Sequence, residues 1–306
     1  MKKTALAFAL MAGLSANAHA GIDFTFNYAL ANAAEGYTPP NLTVPGYNNF
    51  NSPLSRVTDE MKFTADSLLV FNTGTPFAAG STFTDYILVR IDQLFNNSSN
   101  NLDVYNLNSD RQITAIIVTS GVFVSNQNAI INNLSRFDIY YDAGDNAGNG
   151  TLTMADLTDS GYANFVDGTL VEQGTLLPGS GGVTGTTIPD GAVNLNVQLT
   201  DVLAGGDFEL DSQGSIFTKL VAALTNGNNA LCSSDGGTQT CQGTEAGIAA
   251  FFQGQGFGSA VAGANSFYTR TDGSIEKQFI PEPASLALVG LGLVGMGIAS
   301  RRRKSA

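Results

Sequence analysis

Apolar and polar positions alternate with a period of two along much of this chain. That spacing puts one face of a strand against a core and the other against water. The clearest case runs over residues 192–203 (AVNLNVQLTDVL), where Val193, Leu195, Val197 and Leu199 share one face and Asn194, Asn196 and Gln198 the other. Residues 135–142 repeat the pattern, with Phe137, Ile139 and Tyr141 set against Arg136, Asp138 and Tyr140. Residues 82–94 place Phe83, Ile87, Val89 and Ile91 at period-two positions. Residues 22–28, 66–72 and 112–125 are further predicted strands, the last long enough to bend, with a predicted bulge at Gly121. Helical signals are few. They cover residues 215–224 and 244–253, the second opening on Thr244 and Glu245, which suit a helix start. Residues 178–185 (PGSGGVTG) read as a flexible loop. Strands with one dry and one wet face predict an all-β fold, an antiparallel β-sandwich with long loops and few short helices.

The two ends depart from this alternation. At the start, Lys2 and Lys3 precede an apolar stretch over residues 4–14, and Ala18-His19-Ala20 supplies small residues at a cleavage site. This is the layout of a secretory signal peptide over residues 1–20, with an apolar run too short for a permanent anchor. At the other end, Pro281 and Pro283 break structure before an uncharged apolar run over residues 284–300. That run sits at the lower limit of the roughly 17–25 residues of a spanning helix. Gly290, Gly292, Gly295 and Gly297 suit close packing in a membrane better than a water-exposed helix. Arg301, Arg302, Arg303 and Lys304 follow as a basic block, which the positive-inside rule keeps in the cytoplasm while the body lies outside. The expected organisation is a signal peptide, one exported body over residues 21–279 without internal repeat, and a C-terminal segment over 280–306.

The order Pro281-Glu282-Pro283, apolar helix, Arg cluster resembles the PEP-CTERM sorting signal. The resemblance implies processing by a membrane-embedded exosortase, after signal peptidase, in a Gram-negative bacterium that makes exopolysaccharide. It also implies a transient stay in the inner membrane, then the cell surface or extracellular matrix. An ordinary single-pass anchor is the plainer reading of the same segment. A second, broader resemblance rests on FDIYYD (137–142) and ADLTDSGYANFVDGTLVEQGTL (155–176), with DSLLVFNTG (66–74) and ITAIIVTSG (113–121) upstream in similar order. These look like the flocculation-associated PEP-CTERM proteins. That likeness implies a non-enzymatic part in floc or biofilm formation through exopolysaccharide.

Charge narrows the partners. The chain carries 14 Lys and Arg against 26 Asp and Glu, and most of the clustered basic residues lie in the two ends. So acidic a body repels nucleic acid, whose binding needs cations to replace counterions. The two cysteines, Cys232 and Cys241, flank SSDGGTQT, a turn-forming stretch that lets them meet; in an oxidising compartment they are expected to form a structural disulfide.

The only histidine is His19, inside the predicted signal peptide. Histidine-based nucleophile systems and His-ligated zinc are therefore excluded from the body. Paired carboxylates stay open as an alternative, an exported polysaccharide hydrolase. No resident cofactor is expected, apart from a calcium reading of residues 145–156 (DNAGNGTLTMAD). Set against an EF-hand loop, Asp145, Asn149, Thr153 and Asp156 take oxygen-ligand positions and Gly150 the sharp turn, but Ala147 stands where an oxygen is expected. The competing reading is a Gly- and Asn-rich hairpin loop. A calcium-rigidified envelope module is the third functional class.

Overall fold

The computed structural model describes residues 24–36, 60–95, 111–125, 128–143, 162–187, 190–206, 208–211, 220–232, 244–257 and 266–279. Ten strands run in chain order: β1 (Phe24–Phe26), β2 (Glu60–Thr73), β3 (Thr82–Phe95), β4 (Arg111–Ser125), β5 (Asn128–Ala143), β6 (Thr169–Thr187), β7 (Asp190–Asp201), β8 (Glu209–Asp211), β9 (Leu220–Cys232) and β10 (Ser266–Phe279). Two helices, α1 (Tyr28–Ala34) and α2 (Thr244–Gly254), and a 3-10 turn at Tyr162–Phe165 complete the described elements.

Eight of the strands close on themselves in the order β10-β2-β3-β4-β5-β6-β7-β9, and every neighbouring pair is antiparallel. The antiparallel, strand-dominated expectation holds, but the two-layer sandwich gives way to a barrel. The deciding element is β10, which pairs with β2 on one side (Phe267↔Leu69) and with β9 on the other (Ile275↔Leu224). Closure satisfies backbone groups that a sandwich would leave at sheet edges. Alternation along each strand is the same in both architectures, so periodicity does not separate them.

The inward positions are those that the alternation marks. Ile113, Ala115 and Ile117 of β4, Phe137, Ile139 and Tyr141 of β5, and Leu195, Val197 and Leu199 of β7 all join one buried core. At two places the barrel wall needs glycine. A Cβ on Gly121 would lie 2.2 Å from the Ile130 carbonyl oxygen, and one on Gly174 would lie 2.3 Å from Val197 Cγ1. The predicted irregularity at Gly121 is present, because the β4–β5 register shifts between Ser120 and Gly121.

Part of the outer wall is also dry. Leu68, Tyr86, Leu88, Ile116, Val118, Tyr140 and Tyr268 face outward and form a second cluster with Phe165 and with Ile248, Ala249 and Phe252 of α2. The 3-10 turn is held to the wall where Thr114 Oγ1 donates to the Phe165 carbonyl at 2.9 Å. Just beyond α2, Gln255 accepts from Arg136 Nη1 at 3.3 Å. Arg136 also donates to Tyr140 Oη at 2.9 Å and pairs with the buried Asp138, which takes a further 2.9 Å bond from Gln173. This shared network explains why polar residues sit on an otherwise apolar outer face.

Three sequence expectations are corrected. Residues 22–28 were expected to be one strand, but pairing stops at Phe26 and Tyr28 opens α1. The switch is local: the Asn27 side chain accepts from Leu30 N at 3.2 Å as an N-cap. The predicted helix over 215–224 fails where it is described, since Leu220 begins β9. Its register against β7 (Leu195↔Leu224) and β10 is required for closure, so tertiary pairing overrides the local apolar run. Residues 178–185, read as a loop, belong to β6: Gly181 to Gly185 pair with β7, after a register break between Leu176 and Gly181. The predicted helix at 244–253 is present as α2. Among the described residues no helix is long and apolar enough to cross a membrane; residues 1–20 and 284–300, expected as signal peptide and sorting helix, lie outside them.

Candidate functional site

The two ends of the barrel are closed by different devices. At the end where β2 starts and β5 stops, α1 acts as a plug. Its buried face presents Tyr28, Ala31 and Asn32, and Tyr141 Oη donates to Asn32 Oδ1 at 2.7 Å. Tyr28 lies against Phe26 and Tyr141 with ring centroids 5.6 Å apart in each case, and the Arg111 guanidinium sits 4.4 Å over the Tyr28 ring. The short ribbon of β1 and β8 brings Phe208 onto Phe26 at 5.0 Å, completing the stopper.

Just past α1, Glu35 ties the plug to the wall. Its Oε2 accepts from Ala143 N at 3.0 Å, and its Oε1 accepts from Thr169 N. Beside it stand Asp142, at the end of β5, and Asp167, ahead of β6. Burial pushes the Asp142 carboxyl up to about 7, helped by the charges of Asp167 and Glu35 and by a hydrogen bond shared with Glu35. Asp167 rises to about 6, again through burial first and then through Glu35. Three carboxyls thus crowd the seam between plug and barrel. Near neutral pH one of them holds a proton, because like charges this close do not all ionise.

This arrangement is a clamp more than a hydrolytic pair. Both Glu35 oxygens are engaged by main-chain donors, and Glu35 and Asp142 are in hydrogen-bond contact. Glycoside hydrolysis uses carboxyls roughly 5–10 Å apart, flanking a substrate. Among the described residues, no group of three or more His, Cys, Asp or Glu side chains is placed to hold a metal ion.

Most residues singled out from the sequence lie elsewhere. Asp145, Asn149, Thr153 and Asp156, the calcium candidates, are outside the described residues, between β5 and the 3-10 turn. Pro281, Glu282, Pro283, Arg301, Arg302 and Arg303 are outside them as well. Cys232 is the last residue of β9, and Cys241 lies outside the described residues. The carboxyl group of three carried no sequence signal: its members are far apart in the chain, and only the packing of α1 on the ends of β5 and β6 joins them.

Residues 279–304 match the PEP-CTERM protein-sorting motif. The chain therefore carries a sorting signal that implies export across the membrane and processing by exosortase, on a strand-rich acidic body. No curated protein and no solved structure matches the chain.

Proposed function

We propose that this is a non-enzymatic surface or matrix protein of a Gram-negative bacterium that supports floc or biofilm formation by associating with exopolysaccharide. The sorting motif at 279–304 carries the reading, since it directs the body to the envelope where such polymer is exported. The absence of histidine from the body removes the commonest general base there. The exposed barrel wall supports it further with paired amides and hydroxyls. Asn72 donates to Thr84 at 2.9 Å, Thr73 and Thr82 share a 2.7 Å bond, and Asn133 donates to Ser135 at 3.1 Å. Sugar hydroxyls are recognised by such groups, which both donate and accept. In this reading Cys232 and Cys241 close a disulfide loop after β9, and a calcium ion at Asp145, Asn149, Thr153 and Asp156 rigidifies the segment after β5. Deleting residues 281–306 and fractionating cells tests the sorting step, with retention or misrouting expected. Deleting the whole gene and scoring aggregation tests the role; flocs that form unchanged would refute it.

A further inference from the structure

The end of the barrel opposite α1 is closed by aromatic rings. The β2–β3 connection turns Phe77 inward, with its ring 4.8 Å from Phe71, 4.7 Å from Phe267 and 5.6 Å from Phe123. Phe83 adds to this collar at 5.4 Å from Phe123. Phe77 holds a φ of 60°, the left-handed region, and is the only non-glycine to do so among the described residues. A bulky residue in that conformation is strained, and such strain is kept where the surroundings over-determine it. Here the ring is what holds the turn in place. The tip is further pinned by Gly80 N donating to the Phe123 carbonyl at 2.7 Å.

One inward position below the collar, the interior turns polar. Asp85 of β3 faces Thr119 of β4 across the ladder. Thr119 is 1% exposed, and its hydroxyl has no hydrogen-bond partner among the described residues; neither has Oδ1 of Asp85, although Ser67 and the Tyr86 N–H donate to that carboxyl. Ser67 in turn shares a 2.5 Å bond with Thr269. No charged group figures among the influences on Asp85, which is wholly enclosed and whose carboxyl burial lifts to about 6. Two buried polar atoms on neighbouring strands, both unanswered, are a rarity that requires a reason. The inward-facing Leu69, Ile87 and Phe267 are only partly buried, so side chains do not fill the barrel to contact at this level. An eight-stranded barrel is wide enough for either a packed interior or one small ligand.

We propose that the barrel interior beneath Phe77 is a binding site for a small organic ammonium ion. Its N–H groups would donate to Asp85 Oδ1 and Thr119 Oγ1, its charge would answer the buried carboxylate, and the phenylalanine faces would stabilise it by cation–π attraction. Its short alkyl part would lie against Leu69 and Ile87. A metal ion fits poorly, because a single carboxylate and hydroxyls fall short of the six to eight oxygens that calcium takes. Phe77 is the gate, since the strained turn carries the ring that caps the site.

The test is calorimetry of the purified full-length protein in amine-free buffer, with n-butylammonium chloride and n-butanol as probes. Saturable one-to-one binding of the ammonium is expected, at least tenfold tighter than the alcohol of the same shape. The isosteric Asp85→Asn substitution removes it. On the unaltered protein the affinity falls as pH is lowered through about 6, as the Asp85 carboxyl takes up a proton. Equal affinity for ammonium and alcohol, no heat from either probe, binding retained in Asp85→Asn, or an affinity indifferent to pH would each overturn the proposal.

Discussion

The enclosed carboxyl of Asp85 makes the stability of this barrel depend on pH in a direction opposite to that of a salt-bridged acid. Burial raises its pKa from 3.8 to about 6, so the folded protein favours the neutral form. The stability that the neutral form contributes is fully present below pH 3.8 and is lost as pH rises through about 6. At 1.36 kcal/mol for each pKa unit, the loss amounts to about 3 kcal/mol by pH 8. Asp85→Asn has nearly the same shape and never ionises, and its amide can donate to the unanswered Thr119 hydroxyl. The variant is therefore expected to be about 3 kcal/mol more stable than the natural protein at pH 8, with the difference shrinking to near zero at pH 4. Urea unfolding of both proteins at pH 4, 6 and 8, in buffer without amines, measures this directly. A difference that stays constant across the three pH values would show that ionisation of Asp85 is not what separates them, and the burial argument would fall. So would a variant less stable at pH 8 than the natural protein.

Phe252 is fully buried between α2 and the barrel wall, 5.2 Å from Tyr86. Phe252→Ala should destabilise by about 3–5 kcal/mol in urea unfolding; a loss under about 1 kcal/mol would mean that α2 is not anchored by its apolar face. At the plugged end, Glu35→Gln removes a charge beside Asp142 and substitutes an amide donor. The Asp142 titration midpoint, followed by carboxyl carbon NMR, should drop from about 7 towards the ordinary aspartate range. A midpoint that does not move would leave burial as its sole cause.

Much of the strand content could be read before any coordinates, because burial on one face writes a period of two into the residues. Phe137, Ile139 and Tyr141, or Leu195, Val197 and Leu199, announce their inward direction without reference to any partner strand. The same signal failed at residues 220–224. A short apolar run such as LVAAL suits a helix and a strand equally, and only its two neighbours in the barrel resolve it. Residues 181–185 failed for the complementary reason: glycines have no side chain to carry a period, yet they pair well enough once β5 and β7 flank them. Asn27 shows how narrow the margin is at element ends, since one capping side chain turns a predicted strand into β1 followed by α1.

Sequence alone determined the sorting signal at 279–304, the acidity of the body, its lack of histidine and its antiparallel strand character, because these are properties of residue type and local order. Tertiary structure decided that the sheet closes, that one end is stoppered by α1 and the other by Phe77, and that Asp85 meets Thr119 inside. Those outcomes depend on which strand lies beside which, a long-range choice that hydrophobic period does not encode. Closure comes from β10 meeting β2 across most of the chain. From that one pairing follow the enclosed interior and the unanswered polar atoms within it.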